Sequence, residues 1–298
     1  MDRRAVVAVV GAGKIGEVLL SGLLRSGWPA ERLLATARRA ERATELSGRY
    51  GIRMVDVATA VAEADVLAIA VKPQDAAALM DDLGPLVGAA RSRVGTAAGS
   101  GVGAAGGEVE PGVGASGPLV VSLCAGLPTS FFASRLPAGV PVVRVMTNTP
   151  ALVDEAMTAI SAGPSATGAH LDLAEQMFAP LGRTIRVPEA QQDAVTALSG
   201  SGPAYFFYLV EAMTDAGILL GLPRQVAHDL IVQTAIGSAI MLRDSGEHPV
   251  KLREAVTSPA GTTINAIREL EKHSVRAALL AALEAARDRA SEIAAEQT

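Results

Sequence analysis

The first apolar run of the chain, Val6-Val7-Ala8-Val9-Val10, passes directly into Gly11-Ala12-Gly13-Lys14-Ile15-Gly16. Five consecutive small or β-branched residues without polar alternation predict a strand buried on both faces, the habit of parallel sheets. The glycines answer three separate steric needs. Gly11 allows a tight turn, Gly13 lets the backbone approach a pyrophosphate, and Gly16 lets helix and strand pack closely. Apolar residues at Val18, Leu19, Leu23 and Leu24 then predict a helix beginning near Lys14. Its free N–H groups and dipole favour bound phosphate. The glycine spacing alone would be weak; placed between a strand and a helix, it points to a dinucleotide.

The next decision lies at the end of the second strand, Leu33-Leu34-Ala35-Thr36-Ala37. About 20 residues past the glycines, a carboxylate would hold the ribose 2′-hydroxyl of NAD. Here stand Thr36, Arg38 and Arg39, with no carboxylate before Glu41. Hydroxyl and guanidinium donors suit a 2′-phosphate, so the expected cofactor is NADPH, with NADH as the alternative. The plainer reading is that one or both arginines start the next helix on its solvated face.

Strands are expected near residues 52–55, 65–71, 119–123, 140–146 and 157–161, with helices over 40–50 and 74–86 and a helical turn over 59–63. This alternation means a doubly wound sheet, with the ligand at the carboxyl ends of its strands. Ala70-Val71-Lys72-Pro73 and Cys124-Ala125-Gly126 are turns at such ends, and the backbone of the first is favoured over the Lys72 amine. Cys124 has no histidine near it in sequence, so packing outweighs nucleophilic chemistry. Residues 157–161 are expected to finish the sheet, and 183–187 read as an extended connection. Between residues 89 and 117 the chain is rich in glycine and alanine without period, which predicts a flexible insertion with no assigned chemistry.

After Gly163 the pattern is almost wholly helical. Helices are expected over 170–181, 191–220, 224–244, 249–255, 263–271 and 274–297, the second interrupted by Ser199-Gly200-Ser201-Gly202-Pro203. That interruption implies close helix contact or a backbone near a ligand. The later helices carry wide Ala, Leu and Ile faces, more than one small domain can cover, and a homodimer is the economical outcome. The expected domains are therefore 1–163, binding NAD(P), and 164–298, carrying substrate and dimer contacts.

With 298 residues and 49% hydrophobic content, two domains can bury their cores. Net charge −5 argues against nucleic-acid or anionic-membrane partners, and 3% aromatic residues against a stacking platform. A single cysteine excludes an internal disulfide and suits the cytoplasm. Only residues 1–5 precede the first strand, so no targeting segment is expected, and no apolar run is long enough to span a membrane.

The second informative stretch is Val256-Thr257-Ser258-Pro259-Ala260-Gly261-Thr262-Thr263, just before a helix. Thr262 or Thr263 is a natural N-cap, and the hydroxyls around a Pro-Ala-Gly turn also suit a carboxylate. No metal cluster, Ser-His-Asp set or carboxylate pair is visible. The histidines at 170, 228, 248 and 273 read as surface residues. A nicotinamide enzyme without a catalytic histidine fits imine reduction: hydride transfer to a protonated C=N neutralises charge and needs no strong general acid.

These segments together resemble the pyrroline-5-carboxylate reductase family over nearly the whole chain outside residues 89–117. The matching motifs are G-A-G-K-I-G at 11–16, A-V-K-P-Q at 70–74, V-V-S-L-C-A-G at 120–126, R-V-M-T-N-T-P at 144–150, D-A-V-T-A-L-S-G-S-G-P-A-Y at 193–205 and V-T-S-P-A-G-T-T-I-N-A-I at 256–267. The resemblance implies a Rossmann-type domain followed by an all-helical dimerisation domain, with dimers often assembled into a decamer. It implies NAD(P)H-dependent reduction of 1-pyrroline-5-carboxylate to L-proline, the last step of proline synthesis.

Carried over by position, the resemblance puts Gly11, Ala12, Gly13, Lys14, Ile15, Gly16, Thr36, Ala70, Val71, Lys72, Pro73, Cys124, Ala125 and Gly126 at the cofactor. It puts Gly261, Thr262 and Thr263 on the substrate carboxylate, with Thr263 also bonding the ring nitrogen, Ser258 lining the pocket and Glu189 touching substrate. Val57 and Ala255 depart from the family, where asparagines often stand. The rival readings are an NADP-dependent reductase of another small imino or keto acid, and a non-catalytic NADP-binding regulator.

Overall fold

The computed structural model describes residues 5–98 and 117–297. They form two compact units. One contains the described residues up to Gly200 together with 287–297, and the other is Ser201–Ala286.

The first unit is built on an eight-stranded sheet. Its strands are β1 (Val7–Val10), β2 (Leu33–Thr36), β3 (Arg53–Met54), β4 (Val66–Ile69), β5 (Leu119–Ser122), β6 (Val142–Met146), β7 (Ala156–Ala162) and β8 (Gly182–Arg186), in the order β3-β2-β1-β4-β5-β6-β7-β8. The pairs from β3 through β6 are parallel, β6 and β7 are antiparallel, and β8 runs parallel to β7. Every residue of β1, β2, β4 and β5 is buried, as unbroken apolar strands covered on both faces require. Helices α1 (Lys14–Arg25), α2 (Ala40–Tyr50), α3 (Val57–Glu63), α4 (Pro73–Ala98), α5 (Thr129–Ala133) and α6 (Gly168–Phe178) supply the connections. Two separate apolar clusters cover the faces, one including Leu19, Leu23 and Phe178, the other Met80, Leu83 and Phe132.

Several expectations need correcting. The sheet does not finish at β7. β8 lies beside it, starting at Gly182, whose φ of +141° and close approach to Ala156 leave no room for a Cβ. The mostly exposed sequence of β8 hides its strand character, because an edge strand keeps only part of one face dry. The sheet-bearing unit consequently runs past residue 163 to Gly200. Helix α4 continues to Ala98, well into the stretch expected to be a flexible insertion from residue 89; residues 99–116 of that stretch lie outside the described residues. His170 is buried rather than on the surface. It belongs to a capping box with Thr167, whose backbone N–H donates to His170 Nδ1 at 2.9 Å.

After β8 the chain forms α7 (Gln192–Val195) and a wide π turn over Thr196–Gly200. Gly200 lets the Met146 side chain lie close: a Cβ there would come within 2.3 Å of Met146 Cε at the end of β6 and push that methyl aside. The second unit holds α8 (Gly202–Leu219), α9 (Arg224–Ser245), α10 (Pro249–Ala255), α11 (Thr262–Lys272) and the start of α12 (Val275–Gln297). Helices α8 and α9 pack through Gly217 against Ala227, where an added Cβ would sit 2.7 Å from the alanine methyl. Few side chains in this unit are buried, whereas Phe206, Phe207, Tyr208, Leu230, Met241 and Leu280 are all more than half exposed.

Burial lowers the His170 pKa from its ordinary 6.5 by disfavouring the charged ring, and the neutral ring is the form whose Nδ1 accepts the Thr167 N–H. The unfolded chain then binds more protons than the folded chain just below pH 6.5, so protonation pulls toward unfolding. The contribution should be complete above pH 6.5 and disappear as pH falls through the folded pKa. Urea melts across this range should show the slope in the parent protein and its loss in His170→Gln.

Candidate active site

The turn after β1 shows separate jobs for its three glycines. Gly11 has φ +86°, and a Cβ there would lie 2.4 Å from Val71 Cγ1, so neither conformation nor space permits a side chain. Gly16 is buried against β1, its absent Cβ falling 2.8 Å from Val9 Cγ1. Gly13 is different: it is exposed, and a Cβ would meet nothing within 4 Å. Gly13 is also the N-cap of α1, and no side chain caps it. The first turn of α1 is thus left without a side-chain cap, the arrangement that receives a phosphate.

Thr36 holds this turn against the end of β2. Its carbonyl accepts the Ala12 N–H at 2.9 Å, and its hydroxyl accepts the Gly11 N–H at 3.1 Å. Thr36 is almost buried, while Arg38 and Arg39 just beyond it are exposed. Arg38 is not free in this arrangement: Nη1 and Nη2 donate to Asp75 at 3.2 and 2.9 Å, linking the end of β2 to the first turn of α4. Arg39 is the N-cap of α2.

Residues 70–73 and 124–126 follow β4 and β5, the strands next in order after β1. The Ala70 N–H donates to Val10 and the Leu123 N–H to Ile69, so the three carboxyl-end turns are stitched to one another. Ala70 is buried and Lys72 exposed. Cys124 is buried, its thiol directed at the Val71 carbonyl 3.4 Å away, and burial pushes its pKa up to about 11. Such a thiol is neither a nucleophile nor a metal ligand near neutral pH. Gly126 packs against Ile293 of α12. Residues 11–16, Thr36, 70–73 and 124–126 are thus assembled at the β1–β4 switch point, where doubly wound sheets bind nucleotides.

Glu189 also lies in the sheet-bearing unit. Its Oε1 accepts the Thr129 N–H and its Oε2 the Thr129 hydroxyl, each at 2.6 Å, and Arg144 Nη1 stands 3.8 Å from Oε1. Thr129 and Arg144 are contacts of this candidate residue that the sequence pattern does not single out. An arginine inside Val-Val-Arg-Val-Met was the available signal, because a strand buried on both faces has no other use for a charge.

In the helical unit, Gly261 rather than Thr262 or Thr263 is the N-cap of α11, and no side chain caps it. Thr262 and Thr263 open the helix with their hydroxyls uncommitted to the cap, as the bare N-terminus of α11 needs if it is to accept an anion. Ala260 just before it holds φ +58°, and the Gly261 N–H closes the turn on the Ser258 carbonyl at 3.1 Å. Ser258 and Thr262 are exposed, Thr263 half-buried. Among the described residues no group of three His, Cys, Asp or Glu side chains could hold a metal ion.

Comparison with known proteins agrees with this geometry. Residues 189–293 match the family model described as pyrroline-5-carboxylate reductase dimerisation, and residues 6–93 match that of NADP oxidoreductase, coenzyme F420-dependent. The chain is 40% identical to the pyrroline-5-carboxylate reductase of Mycobacterium tuberculosis, across 97% of both chains. The chain belongs to the pyrroline-5-carboxylate reductase family. The Mycobacterium leprae member is 39% identical over 98% of each chain. A solved pyrroline-5-carboxylate reductase from Coxiella burnetii superposes with TM-score 0.83 at 30% identity, covering 97% of this chain and 98% of that one. Within this family pattern, Val57 begins α3 and Ala255 ends α10, so both departures fall at helix termini.

The glycine geometry separates folding from binding. Gly16→Ala must displace Val9 and should cost about 1–3 kcal/mol in a denaturant melt. Gly13→Ala should cost at most about 1 kcal/mol, yet weaken NADPH binding roughly tenfold in a fluorescence titration by narrowing the phosphate approach.

Proposed function

We propose that this protein is an NADPH-dependent oxidoreductase that reduces 1-pyrroline-5-carboxylate to L-proline, the last step of proline synthesis. The observation that carries this reading is that each unit has a helix N-terminus without a side-chain cap. One, at Gly13, has open space where a side chain would stand; the other, at Gly261, is followed by two threonines, in a chain 40% identical to a pyrroline-5-carboxylate reductase.

The cofactor suits the residues present, because the open space over Gly13 admits a pyrophosphate that a side chain would obstruct. The pyrophosphate is assigned to the backbone of Gly11, Ala12, Gly13, Lys14, Ile15 and Gly16. The 2′-phosphate is assigned to Thr36, Arg38 and Arg39, and the nicotinamide half to the turns at Ala70, Val71, Lys72 and Pro73 and at Cys124, Ala125 and Gly126. NADPH, when bound, supplies the hydride.

The chain's own part is to hold the acceptor. The N–H groups and hydroxyls at Gly261, Thr262 and Thr263 bind the substrate carboxylate, a role that the α11 dipole favours. Thr263 bonds the ring nitrogen, Ser258 lines the pocket and Glu189 sets a carboxylate against the cationic imine. Reduction quenches that cation, so no strong acid is called for. A reductase of keto acids would need a lysine or histidine proton donor, and the buried histidine, His170, is already committed to the α6 cap.

The same reading divides the chain functionally near residue 163 and makes the helical unit the seat of a homodimer, with higher assembly up to a decamer. Its many exposed large apolar side chains support that, since patches on this scale mark contact surfaces. A cytoplasmic setting belongs to the proposal as well; no helix among the described residues is long and apolar enough to cross a membrane.

Purified protein should oxidise NADPH when pyrroline-5-carboxylate is added and release proline. No proline above blank would overturn the assignment. Thr263→Ala should lower kcat/KM by roughly one to two orders of magnitude, as loss of a hydrogen bond to the reacting nitrogen would. Kinetics equal to the parent's would remove Thr263 from the site. Arg38→Ala should raise the KM for NADPH several-fold while sparing NADH, as expected for a lost charge-assisted contact to the 2′-phosphate. Equal effects on both cofactors would remove Arg38 from that role.

A further inference from the structure

Arg144 is placed at the centre of β6 with its side chain only 5% exposed. A guanidinium in that position must be paired, and it is paired twice. Nη1 lies 3.8 Å from Glu189 Oε1 and Nη2 lies 3.4 Å from Asp193 Oδ1. The second oxygen of Asp193 accepts the Ser291 hydroxyl at 2.9 Å, from the last turns of α12. Glu189 is also held by Thr129, which donates its N–H to Oε1 and its hydroxyl to Oε2. Three separate elements, β6, the start of α5 and the end of α12, therefore converge on the short stretch that carries the two carboxylates.

This is more restraint than the local chain needs. A carboxylate at the surface rotates freely, and an isolated surface ion pair contributes little. Glu189 is instead fixed in plane by two short bonds from one residue and by a buried charge behind it. One carboxylate more than guanidinium in the cluster leaves it a net negative charge, suited to a cationic ring nitrogen.

We infer that Arg144 is a positioning residue for the reaction: it aims the Glu189 carboxylate, with Thr129 fixing the carboxylate plane, so that its free lone pairs meet the substrate's iminium nitrogen. The inference rests on the reading of Glu189 as a substrate contact. Arg144 does not itself touch substrate.

The test is a double-mutant cycle read in steady-state kinetics. Glu189→Gln should lower kcat/KM for pyrroline-5-carboxylate by roughly 30-fold, and Arg144→Met should do the same with the KM for NADPH unchanged. The double variant should be no worse than the poorer single one, because Arg144 acts only through Glu189. Arg144→Lys should recover most of the loss. If Arg144→Met does not fold, Thr129→Val takes its place in the same cycle, since it removes one of the two bonds onto Glu189. Multiplying effects in the cycle, or an equal rise in the KM for NADPH, would overturn the role of Arg144 while leaving Glu189 in the site. Parent-like kinetics in Glu189→Gln would overturn the reading of Glu189 and the inference with it.

Discussion

Thr36 is the joint on which the nucleotide end of the fold depends. Two consecutive N–H groups of the glycine turn, from Gly11 and Ala12, are taken by the hydroxyl and the carbonyl of this one residue. That support steadies the turn at the end of β1, because Gly11 leaves the strand at positive φ and its N–H, partly buried, would otherwise lack this partner. The same two bonds fix the end of β2, and with it Arg38 and Arg39, relative to the N-terminus of α1. The glycine turn and the residues proposed for the 2′-phosphate are thereby tied together through one side chain and one carbonyl. A threonine at this position performs a structural task, accepting an N–H, that an acceptor-only carboxylate could share, but its neutral hydroxyl leaves the strand end uncharged.

Legibility in the sequence followed the strength of steric constraint. The glycines at 11 and 16 were readable because each permits no alternative, and the absent Cβ atoms fall within 3 Å of Val71 and Val9. The parallel strands were readable because burial on both faces forces unbroken apolar runs. β8 was not, because an edge strand may be as polar as Arg183-Thr184-Ile185-Arg186, and its place depends on Gly182 meeting Ala156, a contact distant in sequence. His170 was misread for a related reason. A polar residue at the third position of a helix is ordinary, and only the fold reveals that its ring is buried and serves the Thr167 N–H. The extension of α4 to Ala98 shows the limit of composition: alanine without large neighbours fits a helix as well as a loop.

The candidate site was legible in a different way. Its backbone parts left motifs, since N–H groups at helix ends demand glycine or small residues nearby. Its side-chain scaffolding left almost none. Thr129, Arg144, Asp193 and Ser291 are spread across 163 positions, and nothing local joins them. Only the arginine inside a valine strand betrays a buried charge that must be answered from elsewhere.

That difference bears on the chemistry. Reducing a protonated imine asks little of acid and base, so the catalytic burden falls on holding a planar cation still against a hydride donor. Backbone donors at Gly261 suit the anionic end of such a substrate, because they are aligned by α11 and cannot titrate. The cationic end needs a negative group that is equally unable to wander. Glu189, the residue proposed for that place, is restrained by partners that carry no chemistry of their own: two bonds from Thr129 and a guanidinium sunk in β6. A long, flexible carboxylate so restrained behaves like part of the backbone. On the proposed reading each unit contributes one fixed charge, a positive helix end at α11 and a negative carboxylate at Glu189, and a small zwitterion carries the complement of each.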